Sequence, residues 1–304
     1  MMEKMSLKVS IGGVELQNPV MPASGTFGVE SADYVDCGKL GALLPKSFTL
    51  NPQQGNPPPR VVETSCGMLN AVGIQNKGLE YFIKVTLPFF ETFGVPVVAS
   101  VSAYSEDDFK TIIRELNKTS TALIELNISC PNLKEGGKAF GTSAEETYKI
   151  VTAAKSVTEI PLITKLSPNV TDITEIALAA ENAGTDAVSL INTFLGMAID
   201  IKTMRPKLGN ITGGLSGPAI KPLALRMVWQ VAQKVKIPVI GIGGIACGAD
   251  AIEFILAGAS AVQVGTGSFV QPNVMEKIIS EIEDYMRERN ISDIHEIIGG
   301  LKTE

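Results

Sequence analysis

Short apolar runs alternate with amphipathic stretches along most of the chain. The runs are PVMPAS (19–24), ALLPKS (42–47), PVVASV (96–101), ALIELN (122–127), PLITKL (161–166), AVSLIN (187–192), PVIGIG (238–243) and AVQVGT (261–266). They are nearly continuously apolar rather than alternating, the pattern of strands in a parallel sheet covered on both faces. Between them the period changes to that of a helix. Ser105 precedes three acidic residues and sets Phe109, Ile112, Ile113 and Leu116 on one face, predicting a capped helix over 105–118. Ser143, or Thr142 before it, with Glu146 predicts a second capped helix over 143–157. Helices also fit 172–182, 218–235, 248–257 and 273–288.

Eight strands alternating with helices predict an α/β fold, a (β/α)₈ TIM barrel forming a single domain over 1–304. An open doubly wound sheet fits less well, because no GxGxxG opens a helix after the first strand. The stretch between the second and third strands is too long for a simple βα unit. Its residues 51–76 are rich in Pro and Gly and have no helical period, predicting a site-building insertion after strand 2 at the C-terminal face.

Charge and composition narrow the partners. The net charge is −6 with no block of one sign, which argues against nucleic acid or an anionic membrane surface. The N-terminus has no apolar signal region, and the longest uncharged stretch, Phe254 to Met275, is interrupted by Gly, Gln, Asn and Pro. A cytoplasmic protein is expected. The four cysteines are scattered without a CxxC pair, so neither a disulfide framework nor a metal or iron–sulfur site is expected in this chain. The single histidine, His295, is near the C-terminus, so a catalytic base in the middle of the chain has to be Cys, Lys, Asp or Glu.

In a barrel the chemistry sits where strands end, and here those ends are polar: Ser24, Lys46, Ser100, Asn127, Lys165, Asn192, Gly243–Gly244 and Gly265–Thr266. An ammonium at the end of a buried strand needs an anion or an electron-rich ligand. Lys46 and Lys165 therefore face either a ligand or a structural partner, for which Glu125 is available. Glycines in GGLSGPA (213–219), GIGGIACGAD (241–250) and VGTGSF (264–269) suit close approach of backbone amides to a phosphate, although tight turns also need glycine. Cys130, in ELNISCPN just past the fourth strand, reads either as a packed small hydrophobe or as a reactive thiol.

These residues fall into an ordered set of motifs. KS (46–47), PPPRVVETSCGMLNAVGIQNKG (57–78), ELNISCPN (125–132), KLSPNV (165–170), INT (191–193), GGLSGPAIKPLALRMV (213–228), GIGG (241–244) and VGTG (264–267) together resemble the dihydroorotate dehydrogenases. The resemblance spans nearly the whole chain. It is closer to the NAD-linked, two-subunit class 1B than to the fumarate-linked class 1A. The membrane-bound class, with serine at the cysteine position, is less similar.

The resemblance implies an FMN-binding barrel that oxidises dihydroorotate to orotate in pyrimidine biosynthesis. Ser24, Lys46, Ser47, Asn127, Lys165 and Ile191 would contact the isoalloxazine and ribityl parts. Gly217, Gly243, Gly244, Gly265 and Thr266 would hold the phosphate end. Ser100 stands where the family has an asparagine near the flavin. Lys46, Asn70, Val72, Gly73, Ile74, Asn127, Asn132, Asn192 and Thr193 would bind substrate, and Cys130 would be the base that removes its C5 proton. The same resemblance implies a homodimer joined to a partner subunit carrying FAD and a 2Fe-2S centre, a heterotetramer that passes electrons to NAD. Rival readings are an aldolase using Lys165 as a Schiff base, a flavin enzyme acting on uracil or a tRNA uridine, and a non-catalytic barrel.

Overall fold

The computed structural model describes residues 5–129 and 141–303 in full and, between them, the backbone of 134–135 and 138–140. Seven of the expected runs form one parallel sheet. In order across it they are Val20–Pro22, Ala261–Val264, Val239–Ile242, Ala187–Leu190, Leu162–Lys165, Leu123–Asn127 and Val98–Val101. The eighth run lies between the two edges of that sheet and closes the barrel. Gly41 N–H donates to Val20 O on one side, and Leu43 pairs with Pro96 and Val98 on the other, all at 2.8 Å. It makes isolated parallel bridges, Leu43 with Val97 and Phe48 with Val101, rather than a full ladder. Pro45 in its middle has no N–H to give.

The outer ring carries the expected helices. The Ser105 hydroxyl accepts from Asp108 N at 3.1 Å and opens Glu106–Leu116; Ser143, not Thr142, accepts from Glu146 N at 3.2 Å and opens Ala144–Lys155. Phe109, Ile112, Ile113 and Leu116 are all fully buried against the sheet, as their spacing requires. The longest helical stretch outside the expected helices runs over residues 78–91. Gly78–Tyr81 and Leu87–Glu91 are joined by a π turn at Phe82–Thr86. Its buried residues Leu79, Phe82, Leu87 and Phe90 step by five across that turn, which destroys the 3.6-residue signal.

The insertion after strand 2 differs from the expected irregular loop. Val61–Thr64 and Gly67–Asn70 form a hairpin whose second strand pairs with Thr212–Ser216, which in turn pairs with Phe194–Met197. This four-stranded antiparallel sheet stands at the mouth of the barrel, with its own small cluster of Leu69, Ala71 and Leu208. It also corrects the reading of GGLSGPA: Gly213 and Gly214 are strand residues, and only Gly217 begins a turn toward the barrel. Among the described residues, no helix is long and apolar enough to cross a membrane.

Candidate active site

Parallel register brings the polar strand ends together. Lys165 lies opposite Asn127 on one neighbouring strand and Ser189 on the other, while Glu125 lies opposite Ser100. Above them opens a cavity of about 550 Å³, the size of a typical small-molecule site. Ser24, Lys46, Ser47, Asn127, Lys165, Ile191, Asn192 and Thr193 reach it from the ends of the first, second, fourth, fifth and sixth barrel strands. Gly243, Gly244, Gly265 and Thr266 line it from the seventh and eighth, with Gly217 beside them. Asn70, Val72, Gly73 and Ile74 close the side next to the hairpin. Ser100 does not line the cavity: it is fully buried beneath it, bonded to Ser47 and Glu125. Cys130 and Asn132 lie outside the described residues.

The asparagines are orientated by one another. Asn192 Nδ2 donates to Ser129 Oγ at 2.6 Å, Ser129 Oγ donates to Asn127 Oδ1 at 2.8 Å, and Asn127 Nδ2 reaches Ser47 Oγ at 3.4 Å. A chain of this kind fixes which edge of each amide offers a donor and which an acceptor. The two lysines differ. Lys165 Nζ donates to Ser24 Oγ at 2.8 Å and lies 3.8 Å from Glu125 Oε1, so the structural partner exists alongside the cavity position. The Lys46 ammonium has no hydrogen-bond or ion-pair partner among the described residues. Burial pulls it below the usual lysine range, opposed in part by the charge of Glu30. It is a desolvated cation facing the cavity, suited to an anionic ligand.

Local geometry shapes the loop that lines the cavity beside the hairpin. Asn76 accepts from Gly78 N at 2.7 Å and donates to Ile74 O at 2.7 Å, holding Ile74 at a φ of 53° that a β-branched residue rarely adopts. At the other end of the cavity, Gly244 has φ 76°, and a Cβ there would lie 2.9 Å from Gly217 O and 2.7 Å from Lys221 Cβ. Gly217, at φ 99°, has room for only 2.6 Å between a Cβ and Gly67 Cα. The amides of Gly244 and Ile245 donate to no described residue. Two packed glycine turns next to Thr266, one of them with unpaired amides, have the chemistry that suits a phosphate. Unpaired amides at one end, orientated asparagines in the middle, and a buried and a half-buried ammonium group fit FMN together with a small polar anion.

The remaining described cysteines stand elsewhere. Cys37 is buried, and burial pushes its thiol up to about 11; Cys66 is exposed in the hairpin turn; Cys247 caps the helix Gly248–Leu256. Two further cavity residues, without a role in the sequence expectations, belong to the hydrogen-bonded network. Ser129 is the link in the asparagine chain, and Asn169 bonds Thr193 O and Leu195 N, both at 3.0 Å. Asn169 follows the fifth strand much as Asn192 follows the sixth, so the strand-end signal was present for it.

A Gly244→Ala variant tests the phosphate cradle. The barrel is expected to fold with unchanged circular dichroism, while FMN affinity falls about tenfold or more, as strain at positive φ and contact with Gly217 O displace the turn. Normal flavin content in the purified variant would rule the cradle out.

Comparison with known proteins agrees with this architecture. Residues 6–286 match the family model described as dihydroorotate dehydrogenase. A protein of Geotalea uraniireducens (strain Rf4), named dihydroorotate dehydrogenase B (NAD(+)), catalytic subunit, is 52% identical over 305 residues, covering 99% of this chain and all of that protein. The protein of the same name from Trichlorobacter lovleyi is 53% identical over 302 residues, covering 98% of this chain and 99% of its own. Among solved structures, a dihydroorotate dehydrogenase of Eimeria tenella in complex with ferulenol superposes with a TM-score of 0.80 at 24% identity, covering 97% of this chain and 88% of that one, which supports the barrel fold.

Proposed function

The chain belongs to the dihydroorotate dehydrogenase family, and from that premise we propose that it is the catalytic subunit of an NAD-linked enzyme oxidising dihydroorotate to orotate in pyrimidine biosynthesis. The observation that carries the reading is the convergence of Lys46, Lys165 and the bonded asparagines on one cavity with a glycine cradle at its end. The whole chain serves as one FMN-binding barrel domain.

When bound, FMN supplies the acceptor for the hydride that leaves C6 of the substrate. The chain's own groups do the rest. Lys46 attracts and holds the anionic substrate, and Asn70, Asn127, Asn132 and Asn192 match the alternating donors and acceptors of its ring edge. Val72, Gly73, Ile74 and Thr193 complete the pocket around it. Cys130 removes the C5 proton, a role that rests on the ELNISCPN motif. Lys165 would hold a fixed positive charge at the cavity floor, where it would stabilise negative charge on a cofactor bound above it. Ser24, Ser47 and Ile191 would hold the ring system; Gly217, Gly243, Gly244, Gly265 and Thr266 would hold the phosphate end. Ser100 acts from beneath, through Ser47.

The partner is a second subunit that carries FAD and a 2Fe-2S centre and delivers electrons to NAD. Two catalytic chains pair, and the assembly is a cytoplasmic heterotetramer. This follows from the class resemblance together with the absence from this sequence of a GxGxxG fingerprint after its first strand and of clustered cysteines. The purified chain with dihydroorotate is expected to reduce an artificial dye, to reduce NAD at less than about a hundredth of that rate, and to gain NAD reduction when the partner is added. Strong NAD reduction by the chain alone would remove the partner, and strong fumarate reduction would move the chain to class 1A.

A further inference from the structure

Directly under the candidate cofactor site lies a carboxylate for which the proposed chemistry gives no task. Glu125 is 0% exposed, in the fourth barrel strand, two residues before Asn127. It accepts hydrogen bonds from three strands. Ser100 Oγ reaches its Oε1 at 3.0 Å, and Ser189 Oγ and Gln263 Nε2 reach its Oε2 at 3.1 and 3.0 Å. The Lys165 ammonium, itself 4% exposed at the side chain, is 3.8 Å from Oε1. A buried carboxyl is tolerated as an anion when several donors and a cation face it, and all of these are present.

We propose that Glu125 is a positioning residue that keeps Lys165 protonated whether the cofactor beside it is oxidised or reduced. The argument is one of charge balance. With only Ser24 Oγ as partner, an ammonium in this place would be a desolvated cation, and such a group gives up its proton readily. Its stabilising effect on a neighbouring negative charge would then begin only after it had recovered that proton. With Glu125 fixed by Ser100, Ser189 and Gln263, the cation is present beforehand and needs no proton transfer at the moment of reaction. The other described groups around Lys165 are the neutral Ser24, Asn127 and Ser189; Lys46, lining the same cavity, adds positive charge and makes the need for a counter-ion greater.

The arrangement also links the two halves of the site. Ser100 Oγ is bonded both to Glu125 and, at 2.8 Å, to Ser47 Oγ, which Asn127 Nδ2 approaches at 3.4 Å. The same buried carboxylate thus braces Lys165 directly and the asparagine chain through two hydroxyls.

Glu125→Gln keeps the shape and removes the charge. Two measurements on it separate positioning from packing. In the apoprotein, the variant is expected to melt below the wild type near pH 6 and to approach it as pH rises toward about 9. The sign follows from Lys165: without its counter-ion the folded state holds that proton less tightly than the unfolded chain. The penalty is full at low pH and fades as the proton is lost. The second measurement, which rests on the FMN reading, titrates the flavin-loaded variant with dithionite at several pH values. Two-electron reduction is expected to take up one more proton than in the wild type, bound from solvent by Lys165 Nζ.

A melting gap independent of pH with an unchanged proton count would overturn the proposal and leave Glu125 as packing. A pH-dependent gap with an unchanged proton count would uphold the pairing and sink the placement of the flavin beside Lys165. Should Glu125→Gln fail to fold, the double variant Glu125→Gln with Lys165→Met removes both charges at once. Recovery of a folded apoprotein supports the pairing, and failure to recover it overturns the proposal.

Discussion

Replacing Cys130 with alanine is expected to slow reduction of the bound flavin by dihydroorotate on the order of 100-fold or more, while flavin content and orotate affinity stay within about threefold of the wild type. A general base acts in the transition state, so its loss falls on the chemical step rather than on ground-state binding. Cys130→Ser should lie between the two. A thiol of ordinary acidity, near 8.5, is a usable base at neutral to alkaline pH, and a serine hydroxyl is a far weaker one. The serine variant is therefore expected to regain part of its rate as pH rises. Anaerobic stopped-flow bleaching at several pH values reads all three proteins. Bleaching of the alanine variant at the wild-type rate would remove Cys130 from the mechanism.

Lys165→Ala carries the second large effect, in two separable parts. Flavin reduction is expected to fall on the order of 100-fold, the loss typical of one preorganised charge at a site of developing charge. The same change leaves Glu125 as a buried carboxylate held only by Ser100, Ser189 and Gln263. Breaking one side of a buried pair costs about 3 kcal/mol or more, so the apoprotein should also melt earlier. Calorimetry of the apoprotein and stopped-flow of the loaded protein assign each part to its cause. Near-normal turnover in a stable Lys165→Ala protein would contradict both.

Much of this arrangement was legible in the chain because burial on both faces forces parallel strands to be continuously apolar. Lys165, Asn127 and Asn192 stand out at their ends for that reason. Lys165 was readable as either ligand-facing or salt-bridged, and it occupies both positions, between Ser24 and Glu125 at the cavity floor. The hairpin Val61–Thr64 with Gly67–Asn70 was hidden because VVET and GMLN do not alternate apolar with polar residues, and by the prolines and glycines around it. Ser100 lies beneath the cavity rather than on its wall for a different reason. A strand-end position indicates depth along the barrel axis, and one step lower the same side chain belongs to the layer beneath the ligand. Long-range pairings such as that of Ser216 with Thr266, 2.7 Å between hydroxyls, have no local signature at all.

The sheet at the barrel mouth draws its strands from two distant parts of the chain, 61–70 and 194–216. Loops of a barrel are commonly regarded as independent modules that can be exchanged one at a time to alter specificity. Here that freedom is curtailed. Gly213 fits against Asn70, whose carbonyl oxygen would lie 2.6 Å from a Cβ there, and Leu69 packs with Leu208, both across the two excursions. A graft of either excursion alone would leave an unpaired edge and an open apolar cluster. Redesign of the pocket, in the laboratory or in the course of divergence, therefore has to exchange the hairpin and the longer excursion together, as one inherited unit.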